Sequence, residues 1–296
     1  MSALAARTWR QSEARVRAQR DYGGGFRWLE LDLPPEVETP VAGQFVQLLL
    51  PQPAPVLLPR PMSIALAQRR ARSLTLGFLY APVGAGTRVL AALEPGAVVQ
   101  VTGPLGRGYP LERPGTPVLV AGGRGLAPLL MAADALAKQR RTCEFVFGAR
   151  TKSLLVGLGE ARERLAKRGG RLHLATDDGS RGFRGNVVQV LDRLAPKLEA
   201  PLVIHACGPH GMLAAIARWA MANGAEAWLA MESVMACGTG VCRGCPLPRS
   251  ATARDAALAA GTATGAAALK GNPEWAMCCT DGPVFESREL DWDRVE

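Results

Sequence analysis

The sequence predicts an antiparallel β-barrel, then an α/β domain on a parallel sheet, then a small cysteine-rich segment. Three observations lead there. Short β-like runs broken by Gly and Pro fill Phe26 to Pro114, and from Pro117 apolar runs alternate with helix-period stretches. Five of the seven cysteines follow Met231. A chain of 296 residues accommodates two domains and a small addition. Although 48% of the residues are hydrophobic, no apolar run is long enough to cross a bilayer.

Arg7, Arg10, Arg15, Arg17 and Arg20 face only Glu13 within residues 1–20. Such a start has the composition of a transit peptide, but no cleavage signal follows, so it reads as a frayed basic extension. The barrel is expected over 21–114, with strands at 26–33, 44–50, 74–80 and 97–102 and a short helix near 87–93. The α/β domain is expected over 115–231, with strands at 118–121, 143–148, 171–176, 202–206 and 227–231. The cysteine segment takes 232–296. Its Ala-rich part, 249–273, carries ten alanines between Ala251 and Gly271 and is interrupted by Gly261 and Gly265. It reads as a mobile or weakly helical insertion.

The net charge of +9 could attract nucleic acid, but the arginines are scattered and aromatics are only 5%, so no stacking and phosphate-binding footprint exists. No repeat with a period of 20 to 50 residues is present, which excludes solenoids and propellers.

Cys237, Cys242 and Cys245 follow the C-x4-C-x2-C spacing of plant-type [2Fe–2S] sites, which need a fourth, more distant cysteine. Cys278 and Cys279 are the candidates. Gly238, Gly240 and Gly244 let the loop turn tightly and aim N–H groups at sulfur. Structural zinc, disulfides and inert buried thiols compete with this reading. An adjacent Cys278–Cys279 pair makes a poor second zinc pair, and nothing marks the chain as secreted. Arg243, between two candidate ligands, would raise a cluster potential unless its side chain points into water. Cys143 reads as a core residue.

A cluster exchanges single electrons, so another redox group is required. Arg60-Pro61-Met62-Ser63 opens a barrel strand with an Arg and a hydroxyl that can reach one phosphate. Gly84-Ala85-Gly86-Thr87 starts a helix, where free N–H groups favour anions, and Gly103-Pro-Leu-Gly106 closes the barrel. The strand Val118–Ala121 runs into Gly122-Gly123-Arg124-Gly125-Leu-Ala-Pro128, a turn suited to a pyrophosphate at a helix start. Cys207-Gly208-Pro209 ends a strand at the sheet edge where open α/β sheets bind ligands; alone it would read as a buried Cys and a helix-starting turn.

In this order, with Gly103-Pro-Leu-Gly-Arg-Gly108, Thr176-Asp-Asp-Gly-Ser180 and Asp281-Gly-Pro-Val-Phe285, the motifs resemble the ferredoxin–NADP reductase superfamily. Within it they resemble the electron-transfer subunits of dihydroorotate dehydrogenase, over roughly Phe26 to Phe285. The resemblance implies FAD on Arg60, Pro61, Met62, Ser63, Leu79, Tyr80, Ala81, Gly86 and Thr87. NAD would sit on Gly122, Gly123, Gly125, Pro128, Gly208 and Pro209, with Cys207 as the catalytic residue near the nicotinamide. The cluster ligands would be Cys237, Cys242, Cys245 and Cys279, leaving Cys278 a bystander or a spare.

It further implies a cytoplasmic flavoprotein oxidoreductase of pyrimidine biosynthesis, partnered by an FMN-containing dihydroorotate dehydrogenase subunit in a heterotetramer, with no nucleic acid partner. The alternative is a reductase subunit of another complex, of ferredoxin-NADP reductase, sulfide dehydrogenase or hydrogenase type. A cofactor-less assembly subunit is the reading of another class. Three departures stand out. The insertion separates Cys245 from Cys279, Ala81 replaces the family's basic residue, and Arg124 occupies a position usually apolar in the family, where it either contacts a phosphate, making NADP an alternative to NAD, or points outward into solvent.

Overall fold

A computed structural model describes residues 9–167, 169–264 and 273–295. Seven strands, β1 (Arg10–Gly23), β2 (Phe26–Leu33), β3 (Phe45–Leu49), β4 (Arg60–Ser63), β5 (Leu66–Arg70), β6 (Ser73–Tyr80) and β7 (Val98–Leu105), form an antiparallel sheet. Their order is β4-β3-β7-β1-β2-β6-β5. Only Ile64 and Ala65 separate the two edge strands in the chain, and the Ala65 N–H donates to Gly77 O at 2.8 Å, so the barrel is nearly closed. Helix α1 (Ala85–Ala91) lies between β6 and β7.

The expected extension over 1–20 is corrected from Arg10 onward, because that stretch is the barrel strand β1. Ala14 and Val16 are buried while Arg15 and Arg17 are exposed, the period-2 alternation of a strand with one wet face. Arg17 lies 3.3 Å from Asp32 and 3.7 Å from Glu30 on β2. The basic residues therefore decorate a sheet. Arg7 lies outside the described residues.

Next come β8 (Thr116–Gly122), α2 (Leu126–Lys138), β9 (Glu144–Ala149), α3 (Leu158–Ala166), β10 (Arg171–Thr176), β11 (Phe183–Arg184) and α4 (Val187–Leu194). β12 (Leu202–Cys207), α5 (His210–Ala222) and β13 (Glu226–Ala230) complete the α/β run. Alternate residues of β8 enter different cores: Leu119 and Ala121 pack with Leu129 and Phe145, Val118 and Val120 with Ile204 and Leu213. A strand buried on both faces has to be apolar throughout, which is why this stretch reads as a continuous run. The chain passes from β8 outward to β9 and β10, then returns to β12 on the other side. That reversal opens a crevice at the carboxyl ends of β8 and β12.

The remainder contains β14 (Pro246–Pro248), α6 (Ala251–Thr264), β15 (Trp275–Met277) and β16 (Val284–Glu286). The Ala-rich insertion is helical over 251–264, and 265–272 lie outside the described residues. β16 pairs antiparallel with β13, so the cysteine segment ends as an edge strand of the second sheet. No described helix is long and apolar enough to cross a membrane.

Candidate functional site

A cavity of about 220 Å³ opens where β4, the end of β6 and the start of α1 meet. Pro61, Met62, Ser63, Leu79, Tyr80, Ala81 and Thr87 line it, as do Phe45, Val83, Met231, Glu232, Ser233 and Met235. Arg60 and Gly86 meet beside it. A Cβ on Gly86 would sit 3.1 Å from Arg60 Cδ, so the glycine lets the arginine cross the helix start. The guanidinium donates to the carbonyls of Pro59 and Leu58 at 3.0 Å. The Thr87 hydroxyl is committed to the α1 cap, accepting from Gly84 N–H at 3.0 Å and donating to Gly84 O at 3.1 Å.

A second cavity, about 480 Å³, occupies the crevice at the carboxyl edge of the parallel sheet. Gly122, Gly123, Gly125, Gly208 and Pro209 line it, joined by Arg150 after β9, Asp177 after β10 and Met212 on α5. Gly125 is dictated by packing, because a Cβ there would lie 2.0 Å from Cys207 O. Pro128 is buried in the first turn of α2, whose N–H groups are unpaired in any helix. Cys207 is not among the residues lining this cavity: it is 3% exposed, and burial, then the charge of the lining residue Glu232, push its thiol up. Arg124 and Glu232 line both cavities, which therefore meet between them.

The wall of the first cavity leads directly into the cysteine loop, since Met235 is two residues from Cys237. Positive φ angles at Gly238 (73°) and Gly240 (86°) fold the loop back on itself. Cys237 Sγ accepts N–H bonds from Thr239 and Cys242, both at 3.4 Å. Burial raises the Cys237 thiol, but those N–H groups outweigh it and bring it down to about 6. Cys245 and Cys279 bring their sulfurs to 3.3 Å. The Cys279 thiol donates to Cys245, so Cys245 gives up its proton at about 6 while that of Cys279 is held.

Cys278 points elsewhere. It is fully buried and its thiol donates to Met231 O at 3.6 Å. β14 pairs antiparallel with β15, opposing Pro246 to Met277, so the residues just outside that pair, Cys245 and Cys278–Cys279, are neighbours despite the insertion. Cys242 and Arg243 are exposed at the rim. Among the described residues no three or more His, Cys, Asp or Glu side chains are gathered as a metal-holding set.

Sequence reasoning missed Glu232 and Arg150, and singled out Asp177 only as part of the Thr176–Ser180 motif, with no role. Single charged residues after strands carry no spacing signal; the strand order alone could have pointed to them, because it puts the ends of β8, β9, β10 and β12 along one edge.

The oxidoreductase NAD-binding domain family matches residues 119–218. The chain is 34% identical over 253 residues to a Geobacillus sp. (strain WCH70) protein, covering 84% of this chain and 86% of that one. That protein is named dihydroorotate dehydrogenase B (NAD(+)), electron transfer subunit. A Desulforamulus reducens protein of the same name is 32% identical over 282 residues, covering 95% of this chain and 98% of the other. Among solved structures, an NADH-dependent reduced ferredoxin-NADP oxidoreductase superposes with TM-score 0.77 at 25% identity, covering 95% of this chain and 91% of that one.

Proposed function

The chain belongs to the family of electron transfer subunits of dihydroorotate dehydrogenase B, and from that premise we propose that it relays electrons between NAD(H) and a catalytic dehydrogenase subunit. The observation that carries the reading is the junction of the two cavities at Arg124 and Glu232, one built on the barrel and one on the nucleotide loop. FAD would occupy the first, with Arg60 beside its phosphates and Ser63 and Tyr80 on its ring side. NAD would lie over Gly122, Gly123 and Gly125, with its pyrophosphate at the start of α2. Bound flavin takes electrons pairwise from a nicotinamide and releases them singly.

This chain's residues orient and shield. Glu232 and Arg124 would border the meeting point of the two rings, the buried side chains of Met62 and Met231 would shield it from water, and the buried thiol of Cys207 stays neutral. No general acid or base is needed for hydride transfer. The adenosine end of the nucleotide would extend toward Arg150 and Asp177, so the choice between NAD and NADP belongs to that end and not to Arg124.

Cys237, Cys242, Cys245 and Cys279 would hold a [2Fe–2S] cluster, which supplies one-electron exchange at the edge of the protein. Two observations support the fit: N–H groups already aimed at Cys237 Sγ, and the apposition of Cys245 and Cys279. Cys242, exposed on the Gly-rich loop, would turn inward. Met235 and Cys237 are within roughly 7 Å along the chain, so the flavin wall and the first ligand are adjacent. The partner in this reading is the FMN-containing dihydroorotate dehydrogenase subunit, in a heterotetramer.

An anaerobic visible spectrum taken before and after NADH, then NADPH, tests the relay. Flavin bands with a broad red shoulder, bleached by NADH, are expected; a colourless chain refutes it. The ferredoxin-NADP oxidoreductase likeness at TM-score 0.77 favours the second reading, a reductase subunit of another complex. Co-purification decides between them, because only the first brings down a subunit that oxidises dihydroorotate.

A further inference from the structure

Gln47, on β3, is 2% exposed, yet neither its Oε1 nor its Nε2 has a hydrogen-bond partner among the described residues. Buried amides are ordinarily paired, and an unpaired one destabilises the fold that contains it. The surroundings of this amide are specific. A Cβ on Gly238, the residue after Cys237, would lie 2.7 Å from Gln47 Cγ and 2.9 Å from its Nε2, so the side chain rests directly against the cysteine loop. Two residues earlier on the same strand face, Phe45 lines the barrel cavity. Opposite Gln47 on β4 is Pro61, another lining residue of that cavity. The one unsatisfied amide at this place therefore lies between the two sites assigned to redox groups.

We infer that Gln47 is a positioning residue for the iron–sulfur site. With the cluster bound, its side-chain N–H donates to sulfur at the Cys237 end of the loop, holding that end in place and raising the reduction potential. The inference rests on the cluster reading given above. Its physical basis is that donors to sulfur stabilise the more negative, reduced state, a main lever by which proteins set such potentials. The sulfur of Cys237 already takes two backbone N–H groups, so Gln47 adds a side-chain donor from the barrel side.

The test uses the full chain and two variants, Gln47→Leu, which removes the donor at similar volume, and Gln47→Glu, which keeps the shape and replaces the donor with an acceptor. Iron and acid-labile sulfide are counted after anaerobic reconstitution, and the potential is read by an EPR-monitored titration. Full iron is expected in all three, with potentials falling in the order Gln, Leu, Glu. Gln47→Leu should shift the reduced-to-oxidised ratio about tenfold at a fixed ambient potential, about 59 mV for one electron. A second readout needs no cluster: the iron-free Gln47→Leu chain should resist urea at least as well as the parent, while the loaded variant resists less than the loaded parent.

Full iron with unmoved potentials overturns the role of Gln47 and leaves the cluster reading standing. The same urea shift in the iron-free and loaded states overturns it equally. A parent chain that takes up no iron overturns the cluster reading itself, and the role of Gln47 with it. If Gln47→Leu does not retain iron, the potential of Gln47→Glu decides by the same criterion.

Discussion

Gly125 tests the geometry of the nucleotide crevice. A methyl group there would lie 2.0 Å from Cys207 O, 2.3 Å from Cys207 C and 2.6 Å from Gly208 N, whereas ordinary contact begins at 3.4 Å. All three atoms are backbone at the end of β12, so no rotamer change can relieve the clash. Gly125→Ala must push the loop and strand apart by about 1.4 Å, at a cost of about 1–3 kcal/mol. That displacement widens the crevice where the pyrophosphate would sit, and misplacement of about 1 Å can cost on the order of a hundredfold. The expected result is a melting temperature lower by several degrees and a KM for NADH raised tenfold or more, measured as NADH oxidation with ferricyanide as acceptor. Gly211→Ala is the control: nothing lies within 4 Å of its Cβ position on α5. It should gain up to about 1 kcal/mol and leave KM unchanged. A Gly125→Ala enzyme with parental melting temperature and KM would refute the packing argument.

Cys279→Ser should abolish iron binding while Cys278→Ser keeps it, because only Cys279 faces Cys245; iron analysis of the two variants checks this, and the opposite pattern reverses the assignment. Arg124→Ala should slow NADH and NADPH alike, since Arg124 sits where the cavities meet, whereas Arg150→Ala should lower NADPH use relative to NADH; the ratio of kcat/KM values for the two nucleotides is the measurement. His205 is buried and held neutral, its pKa lowered to about 3 by burial and then by Arg141. Between about pH 6.5 and 3 the unfolded chain therefore binds a proton there that the folded chain refuses, and stability falls as the solution is acidified through that window. Urea unfolding at pH 7.5 and 5.5 should show a loss of about 1 kcal/mol attributable to this group, absent in His205→Gln; an unchanged difference in the variant refutes it.

The parts of the fold with apolar patterning were legible. Strands of the parallel sheet announce themselves because both faces are buried, as Val118–Ala121 shows. β1 escaped because its inward residues are only Ala14 and Val16 among Arg, Gln and Glu, and the charged face dominates the composition. The glycine turns were legible because close backbone approach excludes side chains, as at Gly125. Glu232, Arg150 and Gln47 were not. Each is a lone polar residue whose significance comes from which strand ends or loops the topology brings beside it. The Cys207-Gly-Pro209 motif was legible, but the burial of its thiol was not, since the motif alone does not say how deeply the last residue of a strand is covered.

Arg107 explains why the cysteine segment is held as part of the fold. From the end of the barrel it donates through Nε to Val284 O at 2.9 Å and pairs with both carboxylate oxygens of Glu289, at 3.4 and 2.7 Å. The same guanidinium lies 5.3 Å from the Trp228 ring on β13 and 5.9 Å from the Phe285 ring on β16. Its backbone N–H donates to Gly282 O. One residue thus ties the barrel, the edge of the second sheet and the stretch that follows Cys279. The β14–β15 ribbon fixes Cys245 beside Cys279 at the other end, so the length of the insertion is irrelevant to where those two sulfurs sit. Loop closure grows only slowly with length in any case. The insertion can therefore vary freely, while the short span from Cys279 to Phe285, pinned at both ends, cannot.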